Sequence, residues 1–209
     1  MKHIINKIFH KPCVCGVVGD VNTGKSMLIY SLLKAMRKQE FSLYTFGLRT
    51  NLYNATEIYS LAEIEQVKNG VIIVDEFSIL FDLENRKQKK QIETTLRLIH
   101  HNNNVMILCG VPENFKKFIS GKLNFIFYKK TLMSDLINGS RVKSVLAQYK
   151  GYEMGTEVLN LENDEVLFFD GVHYQIEKVK YYKEYDSKRD NISILRPKNV
   201  SKNVQKMCK

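Results

Sequence analysis

Short apolar runs and amphipathic stretches alternate along the first 130 residues of the chain. Residues 13–18, 70–74, 105–108 and 123–128 are almost wholly apolar and read as buried strands, and 42–46 reads as a further one. Between them apolar residues return at helical spacing. Leu28, Leu32, Leu33 and Met36 mark a helix over 26–37. Leu83, Ile92, Leu96 and Ile99 mark the clearest one, over 83–101, and Asn102-Asn103-Asn104 ends it. Helices are also expected over 55–67 and, behind Pro112, over 113–119. Strands alternating with helices predict an α/β architecture: a mostly parallel central sheet flanked by helices. Beyond about residue 130 the pattern changes to short strands over 157–161, 166–169 and 173–182. Asp170-Gly171 is a hairpin turn signal between the last two. The expected division is a basic N-terminal arm, 1–12, one domain over 13–182 and a basic C-terminal tail, 183–209.

Composition adds a partner class. With 209 residues and 44% hydrophobic content the chain can build one ordinary core. No stretch has the ~20 uninterrupted apolar residues of a membrane span, and the basic start lacks the apolar segment of a secretory signal. The formal charge of +10 points to an anionic partner, above all nucleic acid. Charge concentrates in Arg86-Lys87-Gln88-Lys89-Lys90 and in the tail, where residues 186–209 hold seven Lys or Arg against two Asp. The 86–90 run either touches phosphates or is a solvated helix face. Lys116-Lys117 and Lys129-Lys130 read the same way, more weakly. Cys13 and Cys15 share a strand face and read as small core residues. With Cys109 and Cys208 they form no second close pair, so zinc is not expected and a reducing compartment is. His100-His101, adjacent on a helix, do not share a face and read as a polar helix end.

The chemistry sits in Gly19-Asp20-Val21-Asn22-Thr23-Gly24-Lys25-Ser26, a GxxxxGK[ST] phosphate loop between a strand and a helix. Its glycines let the backbone wrap phosphates, and its N–H groups form an anion nest at a helix N-terminus. Lys25 should reach the β- and γ-phosphates of ATP, and the Ser26 hydroxyl should ligate Mg²⁺. The nucleotide-contacting set runs on through Met27. The strand 70–74 delivers Asp75 and Glu76 to the carboxyl edge of the sheet. Asp75 is expected to hold Mg²⁺ through water and Glu76 to polarise the attacking water. Such a pair argues for hydrolysis coupled to work.

GDVNTGKS, VIIVDE, TTLRLIHHNNN, VMILCG and EVLFFDGVHYQIEKV stand in an order that resembles the additional-strand, RecA-like P-loop ATPases. Within them the chain is most similar to the FtsK–HerA superfamily, especially the small genome-packaging ATPases of membrane-containing and double-jelly-roll viruses. The likeness spans roughly residues 13–182. It implies a RecA-like fold closing on a β-hairpin, with ATP and Mg²⁺ as cofactors; the charge, with no base-reading module recognised, makes the expected DNA binding sequence-tolerant. The likeness further implies a homo-oligomeric ring, capsid or portal-vertex partners, and a place in the host cytoplasm or the virion. Ring ATPases complete each site with a neighbour's arginine, and Arg97 and Arg141 are the candidates. One departure stands out: such ATPases end the strand after the long helix on a polar pair, often with Gln, that senses the γ-phosphate. Here Cys109-Gly110-Val111-Pro112 stands there, so the sensor is missing, moved or replaced, with Asn114 the candidate replacement. The alternatives are a filamentous-phage assembly ATPase resembling zonula occludens toxin, and a nucleotide-gated DNA-binding or scaffold protein with little turnover.

Overall fold

The computed structural model describes residues 2–36, 41–46, 54–75, 85–112, 115, 121–131 and 152–180. Among them β1 (Cys13–Val18), β2 (Ser42–Phe46), β3 (Thr56–Ile58), β4 (Gly70–Val74), β5 (Val105–Gly110), β6 (Phe125–Tyr128), β7 (Glu165–Phe169) and β8 (Tyr174–Lys178) form one sheet. Their order is β3-β2-β4-β5-β1-β6-β7-β8. All neighbours from β3 to β6 are parallel, and β7 and β8 add an antiparallel hairpin. Parallel strands need long crossovers, and helices lie in most of them: α1 (Lys2–Phe9) precedes β1, followed by α2 (Lys25–Met36), α3 (Leu61–Gln66), α4 (Arg86–His101) and α5 (Tyr152–Asn160).

Side-chain alternation along β1 divides the core into two layers. Cys13, Cys15 and Val17 pack with Ile4 and Ile8 of α1 and Leu28 and Leu32 of α2. Val14 and Val18 pack on the other face with Ile64 of α3, Ile92, Leu96 and Ile99 of α4, and Met154 and Val158 of α5. β1, β4 and β5 are buried along their whole length, which is why they read as unbroken apolar runs. The asparagines after α4 are built in. Asn104 is buried, donates to Val67 O at 2.7 Å and accepts from Gly70 N at 2.9 Å. Asn102 donates to Glu65 O at 2.8 Å, and Asn103 takes the left-handed φ of 54° that ends the helix. At the hairpin, Gly171 (φ 95°) makes the turn, and Asp170 accepts from Val172 N and His173 N.

Three segments differ from the sequence expectation. Residues 2–9, within the expected arm, form α1, whose Ile4, Ile5, Ile8 and Phe9 are buried: a helical stripe compressed into two turns. The stretch 55–67 is not one helix. It holds β3 and then α3, because Ser60 caps α3 by accepting from Glu63 N at 3.2 Å while donating to Glu63 Oε1 at 2.9 Å. Of residues 157–161, expected as a strand, 157–160 close α5 and Leu161 follows it, with Met154, Val158 and Leu161 buried at helical spacing. Leu83, most of 113–119 and the tail from 181 lie outside the described residues. Among the described residues no helix is long and apolar enough to cross a membrane.

Candidate nucleotide-binding site

The loop from Gly19 to Gly24 joins β1 to α2 at the carboxyl edge of the sheet. A turn closes over Asp20 O, which accepts from Thr23 N at 3.4 Å and from Thr23 Oγ1 at 2.8 Å. Asn22 (φ 64°) and Gly24 (φ 86°) both take left-handed backbone, alternating its direction as an anion nest requires. Leu28 N donating to Gly24 O at 3.0 Å opens α2. Val21 and Asn22 form the exposed crest of the loop, whereas Thr23 and Lys25 are buried. The Lys25 ammonium folds across the loop and donates to Gly19 O at 2.9 Å and Asp20 O at 2.7 Å. A buried cation on neutral carbonyls over a helix N-terminus favours a polyanion. Ser26, on the first turn of α2, is half-buried. Met27 packs its side chain toward the α1–α2 layer.

The loop is braced from behind by the residues after β6. Val18 pairs with Tyr128, Lys129 N donates to Val18 O at 2.7 Å, and Asp20 N donates to Lys130 O at 3.3 Å. Lys129, expected as half of a weak basic surface pair, is fully buried. Its ammonium donates to the carbonyls of Asn163, at 2.6 Å, and Glu165. Burial pulls the Lys129 ammonium down to about 8, and Asp164 and Glu165 offset only part of that. Nothing in one dimension signals this burial, because it depends on β6 pairing with β1.

Asp75 follows β4, is buried, and its N–H donates to Phe46 O at 3.2 Å. β5 lies between β4 and β1, so Asp75 is two strands from the loop on the same edge. β5 is the additional strand of the resemblance, and its end carries buried Cys109 and Gly110, then Val111 and Pro112. The structure thus brings Lys25, Ser26 and Asp75 to one edge. Glu76, Asn114 and Arg141 lie outside the described residues. Arg97 is exposed on the fourth turn of α4, toward the amino edge and away from its own loop.

α4 ends at the amino edge, where Cys13 N donates to Asn104 O at 3.2 Å. It runs back for about 24 Å at 1.5 Å per residue, roughly the height of the sheet. Its N-terminal turn, Arg86 to Lys90, therefore stands at the same edge as the loop but on the opposite face. Arg86, Lys87, Lys89 and Lys90 are exposed, and Asn85 caps the helix by accepting from Lys87 N and Gln88 N. His100 and His101 are exposed at the other end. Cys13 and Cys15 are buried with sulfurs 3.7 Å apart, and burial pushes the Cys15 thiol up, so it is inert. Among the described residues no cluster of His, Cys, Asp and Glu forms a metal site. Far from the loop, Lys7 of α1 pairs with Asp170 of the hairpin turn. Burial opposes the charge on Asp170, but the Lys7 ammonium and the N–H groups of His173 and Val172 hold its carboxyl at about 2.

No protein-family model and no curated protein sequence matches the chain. Solved structures do. The genome packaging NTPase B204 from Sulfolobus turreted icosahedral virus 2, in complex with sulfate, superposes with a TM-score of 0.62 at 15% identity, covering 82% of this chain and 98% of that one. The DNA-packaging ATPase B204 from Sulfolobus turreted icosahedral virus gives 0.63 at 14% identity, over 82% and 99%. The pCW3 conjugation coupling protein TcpA gives 0.60 at 15% identity, over 86% of this chain and 63% of that one. With the sheet order and the loop geometry, these likenesses establish the fold: an α/β, RecA-like P-loop NTPase with an additional strand and a C-terminal β-hairpin.

Proposed function

We propose that this chain is an ATP-hydrolysing motor that translocates or packages DNA, in the manner of a viral genome-packaging ATPase. The observation that carries the proposal is a phosphate loop set in a fold that matches two packaging enzymes over almost their entire length. In this reading Lys25 leaves the carbonyls of Gly19 and Asp20 for the β- and γ-phosphates, and the loop N–H groups and the α2 N-terminus hold the rest. The buried Asp75 carboxylate and the Ser26 hydroxyl, hard oxygen donors on one edge, suit Mg²⁺ and would hold it. The metal would neutralise phosphate charge. Glu76, next in the chain, would orient and polarise the attacking water. Arg97 or Arg141 would act on a neighbouring subunit's site in a homo-oligomeric ring, and the exposed lysines of α4 would meet DNA phosphates. Capsid or portal-vertex proteins would be the further partners, in the host cytoplasm or virion.

A second reading, a nucleotide-gated DNA-binding or scaffold protein with negligible turnover, is favoured by the apolar end of β5, where the related motors place a polar sensor. Phosphate release measured without DNA, with single-stranded DNA and with double-stranded DNA separates the two. DNA-stimulated turnover is the expected result. No stimulation, together with no DNA affinity even near about 50 mM salt, where phosphate contacts are strongest, overturns the motor. Mixing Lys25→Ala subunits with Arg97→Ala or Arg141→Ala subunits should restore part of the activity if sites are shared, and full activity of a strict monomer at low concentration would contradict the ring.

A further inference from the structure

Among the described residues, the side chain of Lys129 lies against the back of the phosphate loop. Lys129 follows the strand that pairs with β1, so the register sets it alongside Gly19. A Cβ on Gly19 would stand 2.6 Å from Lys129 Cβ, and one on Gly24 would stand 3.4 Å from Lys129 Cε and 3.6 Å from its Nζ. The lysine therefore runs behind both glycines of the motif, and their lack of side chains makes room for it as much as for a phosphate. Its ammonium is sealed from water and held by two backbone carbonyls, Asn163 of the α5–β7 link and Glu165 at the start of β7. The charged groups that act on it are the carboxylates of Asp164, in the α5–β7 link, and Glu165, at the start of β7, with Lys178 4.0 Å from Asp164. Among the described residues no carboxylate hydrogen-bonds to the ammonium.

Burying a lone ammonium on neutral acceptors is costly, and a methionine would fill the same volume without that cost. What a cation adds is positive potential, transmitted through the glycine backbone in a medium that screens poorly. We propose that Lys129 is a second, internal cation of the phosphate site: a positioning residue that shapes the loop between Gly19 and Gly24 from behind and strengthens its hold on a triphosphate. It acts through the loop and does not touch the reacting atoms. The proposal rests on the loop being a triphosphate site.

Because Lys129 is partly neutral above pH 8, an arriving polyanion should draw a proton onto it. The test is the calorimetric binding of ATPγS with Mg²⁺ to the full chain in two buffers of different ionisation heat, at about pH 7 and about pH 8.5. Wild type should take up a fraction of a proton on binding at the higher pH and much less at the lower. Lys129→Met should bind about tenfold more weakly, as expected for loss of a nearby charge, and should lose that uptake. Lys129→Arg, which stays charged, should keep more of the affinity than the methionine variant while losing the uptake. Wild-type uptake that is the same at both pH values overturns the proposal even if neither variant folds. So does a folded Lys129→Met with wild-type affinity and uptake. Failure of wild type to bind ATPγS at all would remove the triphosphate site itself, and this proposal with it.

Discussion

Two sets of lysines lie at the carboxyl edge of the sheet. Lys25 and Lys129 are buried on either side of one loop, each ammonium fixed on two backbone carbonyls. Lys87, Lys89 and Lys90 stand exposed on the first turns of α4. The charge is the same, but the surroundings give it different meanings. A buried cation acts on one point in a low-dielectric setting, and its removal leaves an anion site incomplete. Exposed cations act as a sum, screened by salt, and each is replaceable.

That contrast can be broken at its strongest point first. Lys25→Ala should abolish detectable ATP hydrolysis, a loss of about 10²-fold or more, while circular dichroism stays native. Wild-type phosphate release would sink the site assignment. Glu76→Gln should still bind ATP but hydrolyse it about 10²-fold more slowly, and normal turnover would make Glu76 structural. Asp75→Asn, by contrast, should weaken Mg²⁺-dependent nucleotide binding itself.

Gly19→Ala tests how tightly the back of the loop is filled. Its Cβ would meet Lys129 Cβ at 2.6 Å and Thr23 Oγ1 at 2.9 Å, neither of which is the free end of a flexible chain. Overpacking of this kind should cost about 1–3 kcal/mol, read as a lower denaturant midpoint at unchanged slope. An unshifted midpoint would mean that β6 can slide away from the loop.

The exposed set should behave differently. Replacing Lys87, Lys89 and Lys90 together with Gln should weaken DNA binding alike for all sequences and flatten the salt slope by up to about 3 units. Stability should hardly change. Unchanged affinity and slope would leave the run a solvated helix face. Because α4 begins at the loop's own edge, basal hydrolysis should be measured alongside.

The smallest effect concerns pH. The Lys129 ammonium sits near 8 in the fold, against 10.5 for a free lysine. A folded value below the unfolded one means that the unfolded chain holds more protons between these limits, so stability should rise with pH across that window. The cost of burying the charge is fully present below about 8. Lys129→Met should lack that rise in a comparison of denaturation midpoints, and an equal rise in both proteins would assign it elsewhere. Asp170 acts at the other end of the scale. Its carboxyl, held at about 2, stabilises the α1–hairpin contact above the ordinary carboxylate range, and that contribution is lost as pH falls through about 2.

The architecture and the front of the site were written along the chain. Strands buried on both faces, 13–18, 70–74 and 105–110, carry no polar residue to interrupt them, so burial is legible in one dimension. The phosphate loop is legible because eight contiguous residues make nearly all of it, and Asp75 because it ends such a strand. Where two helical turns or a cap decided the outcome, the pattern misled. The Ile4–Phe9 stripe was too short to outweigh its lysines, the Ser60–Glu63 cap split 55–67, and Val158 fit a strand until Met154 joined it in a helix. What only the tertiary structure decided is which strand lies next to which. β6 pairs with β1 although more than a hundred residues separate them, and that pairing turns Lys129 from one of two adjacent basic residues into the buried support of the loop. No local propensity encodes such a contact, because its energy comes from groups that meet only when the sheet has closed.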